Sequence, residues 1–211
     1  CGAGPWRLEW GPPQRSYIQG RELRLRMEIG LAQDLNRLVL SRPLMEELER
    51  SAFEQYTAQM QTRIDDATPE EMRWLAMFAK VQIVADKELR QRFGVVAVSA
   101  APAQVWLQGA LAEELATAAR EALSAQPPFV LMTLLGRLYL RLQLADSDVA
   151  AIDAMVRLFE AAATRALLAA LASLRPAVTP LIVVPAAGRC GEGDAVVVED
   201  VEGLVRKRFD G

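Results

Sequence analysis

The chain has 211 residues, a formal net charge of −3 and no histidine. Its content of 52% hydrophobic and 24% charged residues is typical of a globular protein with a sizeable core and not of a disordered one. The acidic balance argues against nucleic-acid binding, which normally needs a basic surface. The lack of histidine excludes Ser-His-Asp and Cys-His catalysis and most transition-metal sites. We therefore expect a protein that is not an enzyme and that uses no cofactor, metal or nucleic acid.

The chain begins with Cys1, followed by the small residues Gly2, Ala3 and Gly4. A chain that starts in this way resembles the processed bacterial lipoproteins. The resemblance implies an acylated Cys1 that anchors the protein in membrane lipid on the periplasmic side of the cell envelope, with the outer membrane slightly favoured. More than one acyl chain gives stable attachment, because each buried methylene contributes about 0.8 kcal/mol. The alternative is a fragment that happens to start at cysteine, and the state of Cys190 stays open.

Residues 1–20 are rich in proline and glycine, which predicts a tether or irregular arm. Trp6 and Trp10 lie in this arm and are candidates for contact with the membrane surface, where indole rings are favoured. The alternative, which we prefer narrowly, is that the two tryptophans hold the arm against the domain.

Residues 21–29 fit two patterns. Hydrophobic residues alternate with charged ones from Leu23 to Ile29, as in a strand with Arg24 and Arg26 on its polar side. Most of these residue types also favour helices, and hydrophobic residues recur at helical spacing from Leu23 to Leu35. We lean towards a helix.

Further helices are predicted along the middle of the chain. Ser41 and Pro43 indicate the start of a helix that runs to about Ile64. Thr68-Pro69-Glu70-Glu71 indicates another, which ends near Gly94 and has Glu71 as part of a capping box. Paired glutamates such as Glu70 and Glu71 are interpreted as solvated charges and not as a catalytic pair.

The short β-branched run at 95–98 is either a buried strand or an extended connector. One helix is then predicted from Pro102 to about Ser124, and a central leucine-rich segment over 129–144. The last long helix covers 148–174. A weak similarity between 31–35 and 111–115 suggests a repeat of two helical halves.

Beyond Pro176 the sequence becomes rich in β-branched residues. The runs 178–184 and 195–201 predict a hairpin with a long turn. Arg206, Lys207 and Arg208 follow it and are weak candidates for contact with anionic headgroups, at about 1 kcal/mol per charge. The simpler interpretation of these three residues is a solvated tail.

Together, these patterns predict a mainly α-helical protein, a multi-helix bundle over 21–175 with a tether at 1–20 and a small β-rich extension at 176–211. The expected function is that of a lipid-anchored structural or adaptor subunit that contacts a protein partner in an envelope complex. The alternative function is a periplasmic carrier of an apolar or lipid-like ligand.

Overall fold

The computed structural model describes residues 5–30, 35–59, 69–84, 87–174, 196–198 and 206–208. The chain forms two compact units, Cys1–Leu174 and Arg175–Gly211. The strands are β1 (Trp6–Gly11), β2 (Glu22–Glu28), β3 (Arg37–Ser41), β4 (Ala79–Lys80), β5 (Phe93–Ala97), β6 (Phe129–Leu134), β7 (Arg137–Gln143), β8 (Val196–Val198) and β9 (Arg206–Arg208). The helices are α1 (Arg42–Gln59), α2 (Glu70–Met77), α3 (Lys87–Arg92), α4 (Ala100–Trp106), α5 (Ala110–Arg120) and α6 (Val149–Leu174).

The first unit is built on one antiparallel sheet of seven strands in the order β1-β2-β7-β6-β3-β5-β4. Of the described residues, 46% are helical and 26% lie in strands. The prediction of a mainly α-helical bundle is therefore wrong, and the fold is mixed α and β.

Helices cover the two faces of the sheet unequally. Helices α3 to α6 pack on what we call the first face, over a core that runs from β2 to β5. Helices α1 and α2 pack on the second face, against β3, β5 and β6. The part of the second face on β1, β2 and β7 remains partly open, and it carries charged side chains.

Residues 21–29 do not form the helix that we favoured, because most of them form strand β2. It pairs with β1 on one side and β7 on the other, so backbone hydrogen bonds on both sides fix it as a strand. Leu23, Leu25 and Met27 are buried on the first face, and Arg24 and Arg26 point to the second. Tertiary pairing thus overrides the helical propensity of these residues.

The leucine-rich segment 129–144 is a β-hairpin and not a central helix. Leu135 and Gly136 connect β6 to β7 with positive φ angles of 49° and 77°, as a two-residue hairpin turn of type I′ requires. Strand β6 is buried on both faces, because Leu131 lies in the core on the first face and Val130 in the core on the second face. Burial on both faces explains why hydrophobic residues occur here on every side.

Two long predicted helices are shorter in the structure. The helix that begins after Pro69 ends at Met77, and β4, α3 and β5 occupy the rest of its predicted length. The helix predicted from Pro102 to Ser124 is divided into α4 and α5 at Gly109, whose φ of 60° is unfavourable for other residues.

The helix predicted over 148–174 is confirmed as α6, and the run at 95–98 lies mostly in strand β5. Strand β1 lies within the predicted arm. Residues 31–34 lie outside the described residues, so the helical repeat stays a prediction.

In the second unit, β8 pairs with β9, whereas the predicted strand 178–184 lies outside the described residues. None of the described helices is long and apolar enough to cross a bilayer.

Helix α1 approaches the sheet closely because β5 has a glycine beneath it. A Cβ atom added to Gly94 would lie 1.9 Å from the sulfur of Met45, which is itself buried. We expect Gly94→Ala to lower the free energy of unfolding by about 1–3 kcal/mol, because overpacking displaces α1. Urea denaturation measures this change.

The pair Gly94→Ala and Met45→Ala provides the control. If the clash is the cause, the two losses are not additive, because the smaller residue at 45 leaves room for the added methyl group. Additive losses would contradict this explanation.

Candidate functional site: an arginine-rich sheet face

The open part of the second face carries a cluster of charges. We call it the arginine face and define it by Arg7, Glu9, Arg24, Arg26, Tyr139 and Arg141. These residues lie in two rows across β1, β2 and β7, because Arg7 pairs with Arg26, Arg26 with Tyr139, Glu9 with Arg24, and Arg24 with Arg141. They line most of a cavity of about 200 Å³.

A buried carboxylate holds two of these arginines in place. Glu22 is fully buried at the start of β2. Its Oε1 accepts a hydrogen bond of 2.6 Å from Nη1 of Arg141, and its Oε2 accepts one of 3.2 Å from Nη1 of Arg24. The backbone N–H of Gln14 adds a third donor at 2.6 Å. Both carboxylate oxygens are thus satisfied, which removes much of the penalty for burying this charge.

Positive charge exceeds negative charge on this face. Arg24 also donates from Nε to Glu9 at 3.2 Å, and Glu9 contacts Arg7 at 2.5 Å. Three arginines, Arg7, Arg24 and Arg141, therefore share the two carboxylates of Glu9 and Glu22. Arg26 is exposed and forms no ion pair within the described part of the chain. The face is consequently suited to bind an anionic group.

A second buried carboxylate lies in α2. Glu71 is fully buried, and its Oε1 accepts hydrogen bonds from the hydroxyl of Tyr17 at 2.9 Å and from Nε of Arg15 at 3.3 Å. Burial and the charge of Glu71 raise the pKa of Tyr17, so the phenol keeps its proton and acts as the donor. Glu71 lies in the first turn of α2, but it is buried, so its interpretation as a solvated charge is wrong. This carboxylate ties α2 to the loop between β1 and β2.

Arg37, at the start of β3, is the third buried charge. It is 1% exposed, and its two terminal nitrogens have no hydrogen-bond partner among the described residues. Its guanidinium lies 5.6 Å from the centre of the Trp106 ring. Burial lowers the pKa of Arg37 to about 10. The cation–π contact offsets only part of the cost of removing this charge from water.

Sequence reasoning identified none of these buried charges as site residues. The one signal was the alternation of 21–29, since the strand interpretation places Arg24 and Arg26 on one polar side. Burial of Glu22, Arg37 and Glu71 depends on strands and helices that are distant in sequence.

The residues predicted from sequence are not brought together. Cys1 lies outside the described residues. Trp6 and Trp10 lie in β1, where Trp10 packs against the first core and donates from Nε1 to the carbonyl of Leu144 at 3.0 Å. Trp6 is 40% exposed. Arg206, Lys207 and Arg208 form strand β9 of the second unit. Contact of these residues with a membrane stays a prediction.

No metal site is apparent in the described ranges, where no three acidic or cysteine side chains are grouped to hold an ion.

Removal of the buried Glu22 charge should disturb the arginine face. We expect Glu22→Gln to lower the free energy of unfolding by about 2–4 kcal/mol, because Arg24 and Arg141 lose their shared buried counter-ion. Chemical denaturation measures the loss. Glu28→Gln is the matched control on the same strand, since its side chain is 75% exposed and pairs with the half-exposed Arg137, and it should cost less than about 0.5 kcal/mol. Equal losses would contradict the role of Glu22.

Replacement of Arg37 should have the opposite effect. We expect Arg37→Met to raise the free energy of unfolding at neutral pH by about 1–3 kcal/mol, because a charge without hydrogen bonds is replaced by an apolar side chain. A loss of stability would contradict this account.

The pH dependence gives an independent check. Below pH 10 Arg37 is charged in both the folded and the unfolded state, so its burial penalty is constant. Between about pH 10 and the higher, ordinary pKa of an arginine, the folded state releases its proton first, so the wild type gains stability with rising pH. The difference in the free energy of unfolding between Arg37→Met and the wild type should therefore become smaller above pH 10.

We compared the chain with known proteins. No protein-family model matches it. No curated protein and no solved structure matches it either.

Proposed function

We propose that the protein is a non-catalytic binding module that holds an acidic segment of a partner protein on the arginine face. In this role it acts as an adaptor or structural subunit of a larger assembly. The observation that carries the proposal is the excess of arginines on a partly open sheet face, two of them oriented by the buried carboxylate of Glu22.

The burial of the carboxylates of Glu22 and Glu71 favours a binding function over a catalytic one. A general acid or base needs a carboxyl group that can reach a substrate. Glu22 is fully buried with both oxygens engaged, and Glu71 is fully buried beneath Tyr17 and Arg15. The chain also has no histidine. These groups therefore serve to position cations.

The spacing of the cations favours an extended acidic chain as the ligand. Arg24 and Arg26 lie two residues apart on β2, which corresponds to about 6.6–6.8 Å along a strand. An extended peptide presents carboxylates of alternate residues at the same spacing. A peptide laid along β2 can therefore place successive carboxylates opposite successive arginines.

The location of this partner stays a prediction. Anchoring through an acylated Cys1 in the bacterial envelope is part of the proposed role, and mass spectrometry of the natural protein tests it. The alternative function of an apolar-ligand carrier also stays a prediction.

An oligo-glutamate peptide with a fluorescent label provides the test. We expect binding that weakens as salt is raised, because exposed charges are screened. Arg26→Gln should weaken binding about threefold, since it removes the one arginine of the face that has no ion-pair partner within the described residues. Fluorescence anisotropy measures both effects.

Arg120→Gln is the matched control, because Arg120 is an exposed arginine at the end of α5. It should leave the affinity unchanged. Equal effects of the two variants, or equal binding of an oligo-lysine peptide, would contradict the proposal.

A further inference from the structure

Strand β1 is one edge of the seven-stranded sheet. All six of its residues pair with β2, and its outer side pairs with no strand in the described part of the chain. An edge of this kind presents unpaired N–H and C=O groups that another strand can bind. Pro5 and Pro12 flank the strand and limit such pairing to the residues between them.

The two sides of β1 differ in chemistry. Trp6, Leu8 and Trp10 lie on the first face, where Leu8 and Trp10 pack against the core and Trp6 is 40% exposed. Arg7 and Glu9 lie on the second face. An added strand has to match apolar residues on one side and charges of both signs on the other.

A second copy of β1 meets both requirements in one register. In an antiparallel pair centred on Leu8, residues directly opposite each other point to the same face. This register places Arg7 opposite Glu9 of the second copy, Glu9 opposite its Arg7, and Trp6 opposite its Trp10. Cross-strand pairs of opposite charge and of aromatic rings stabilise sheets.

Neighbouring registers are unfavourable. Centring the pair on Arg7 or on Glu9 would bring like charges directly opposite each other, which destabilises strand pairing. A shift of one copy by a single residue from the register centred on Leu8 would place apolar residues opposite charged ones. The strand is therefore self-complementary in the register centred on Leu8.

We propose that two copies of this chain pair through β1 around a two-fold axis at Leu8, which joins their sheets into one continuous antiparallel sheet. Because that axis is perpendicular to the sheet, both arginine faces lie on the same side of the dimer. The inference is independent of what the arginine face binds.

Light scattering and sedimentation of the intact protein give the oligomeric state and the dissociation constant. We expect a dimer, and we expect Arg7→Glu and Glu9→Arg each to weaken it by roughly tenfold, because each sets like charges opposite each other. The double exchange Arg7→Glu/Glu9→Arg restores opposite charges across the axis and should recover most of the lost affinity. Circular dichroism confirms that each variant is folded.

Cross-linking provides a second measurement that does not depend on charge. Opposite Cα atoms in antiparallel strands lie about 4.5–5.5 Å apart, within the range that a disulfide spans. Leu8→Cys, in a background of Cys1→Ser and Cys190→Ser, should therefore form a covalent dimer under mild oxidation. Leu135→Cys is the control, because Leu135 is 59% exposed in the turn between β6 and β7, away from the edge, and it should cross-link far less.

A wild-type protein that stays monomeric up to its solubility limit would overturn the proposal. A dimer that is indifferent to the charge exchanges and that gives no cross-link at position 8 would overturn it as well, since it would use another surface.

Discussion

The structure of the first unit depends on a constraint of the central sheet: one chain has to shield the apolar residues on both of its faces. Helices α3 to α6 cover the first face, and α1 and α2 cover the second face over β3, β5 and β6. The second face of β1, β2 and β7 reaches solvent and therefore carries charges in place of leucines. The proposed binding surface is thus the part of the sheet that the helices leave open.

Charges near the margin of the core are stabilised in different ways. Glu22 and Glu71 are buried with arginine and hydroxyl donors that come from other elements. Such bonds fix the position of the loop between β1 and β2 and of the arginines themselves, which reduces the entropy lost when a ligand binds. The guanidinium of Arg37 lies beside the Trp106 ring. Within the described residues, neither of its two terminal nitrogens has a hydrogen-bond partner.

Part of the fold could be predicted from local sequence. The start of α1 at Arg42 follows from Ser41 and Pro43, and the start of α2 after Pro69 follows from proline and the acidic residues behind it. Helix α6 follows from a long run of alanine and leucine. In each case the signal is local, since proline at a helix start and helix-forming residues act within one or two turns.

The sheet could not be predicted in the same way, because hydrogen bonds between distant segments decide it. Leu23 and Met27 suit a helix as well as a strand, and β7, more than a hundred residues later, determines the outcome. The turn at Leu135-Gly136 could not be predicted from the sequence, because a leucine occupies a position with positive φ that usually takes asparagine or glycine.

By itself, the sequence determined the size of the core, the absence of histidine chemistry and the helices with strong local signals, because these follow from composition and from contacts within a few residues. Only the tertiary structure decided that 21–29 and 129–144 are strands, that Glu22 and Glu71 are buried, and that four arginines meet on one open face. Those features arise where separate strands pair, and strand pairing depends on partners that no local pattern specifies.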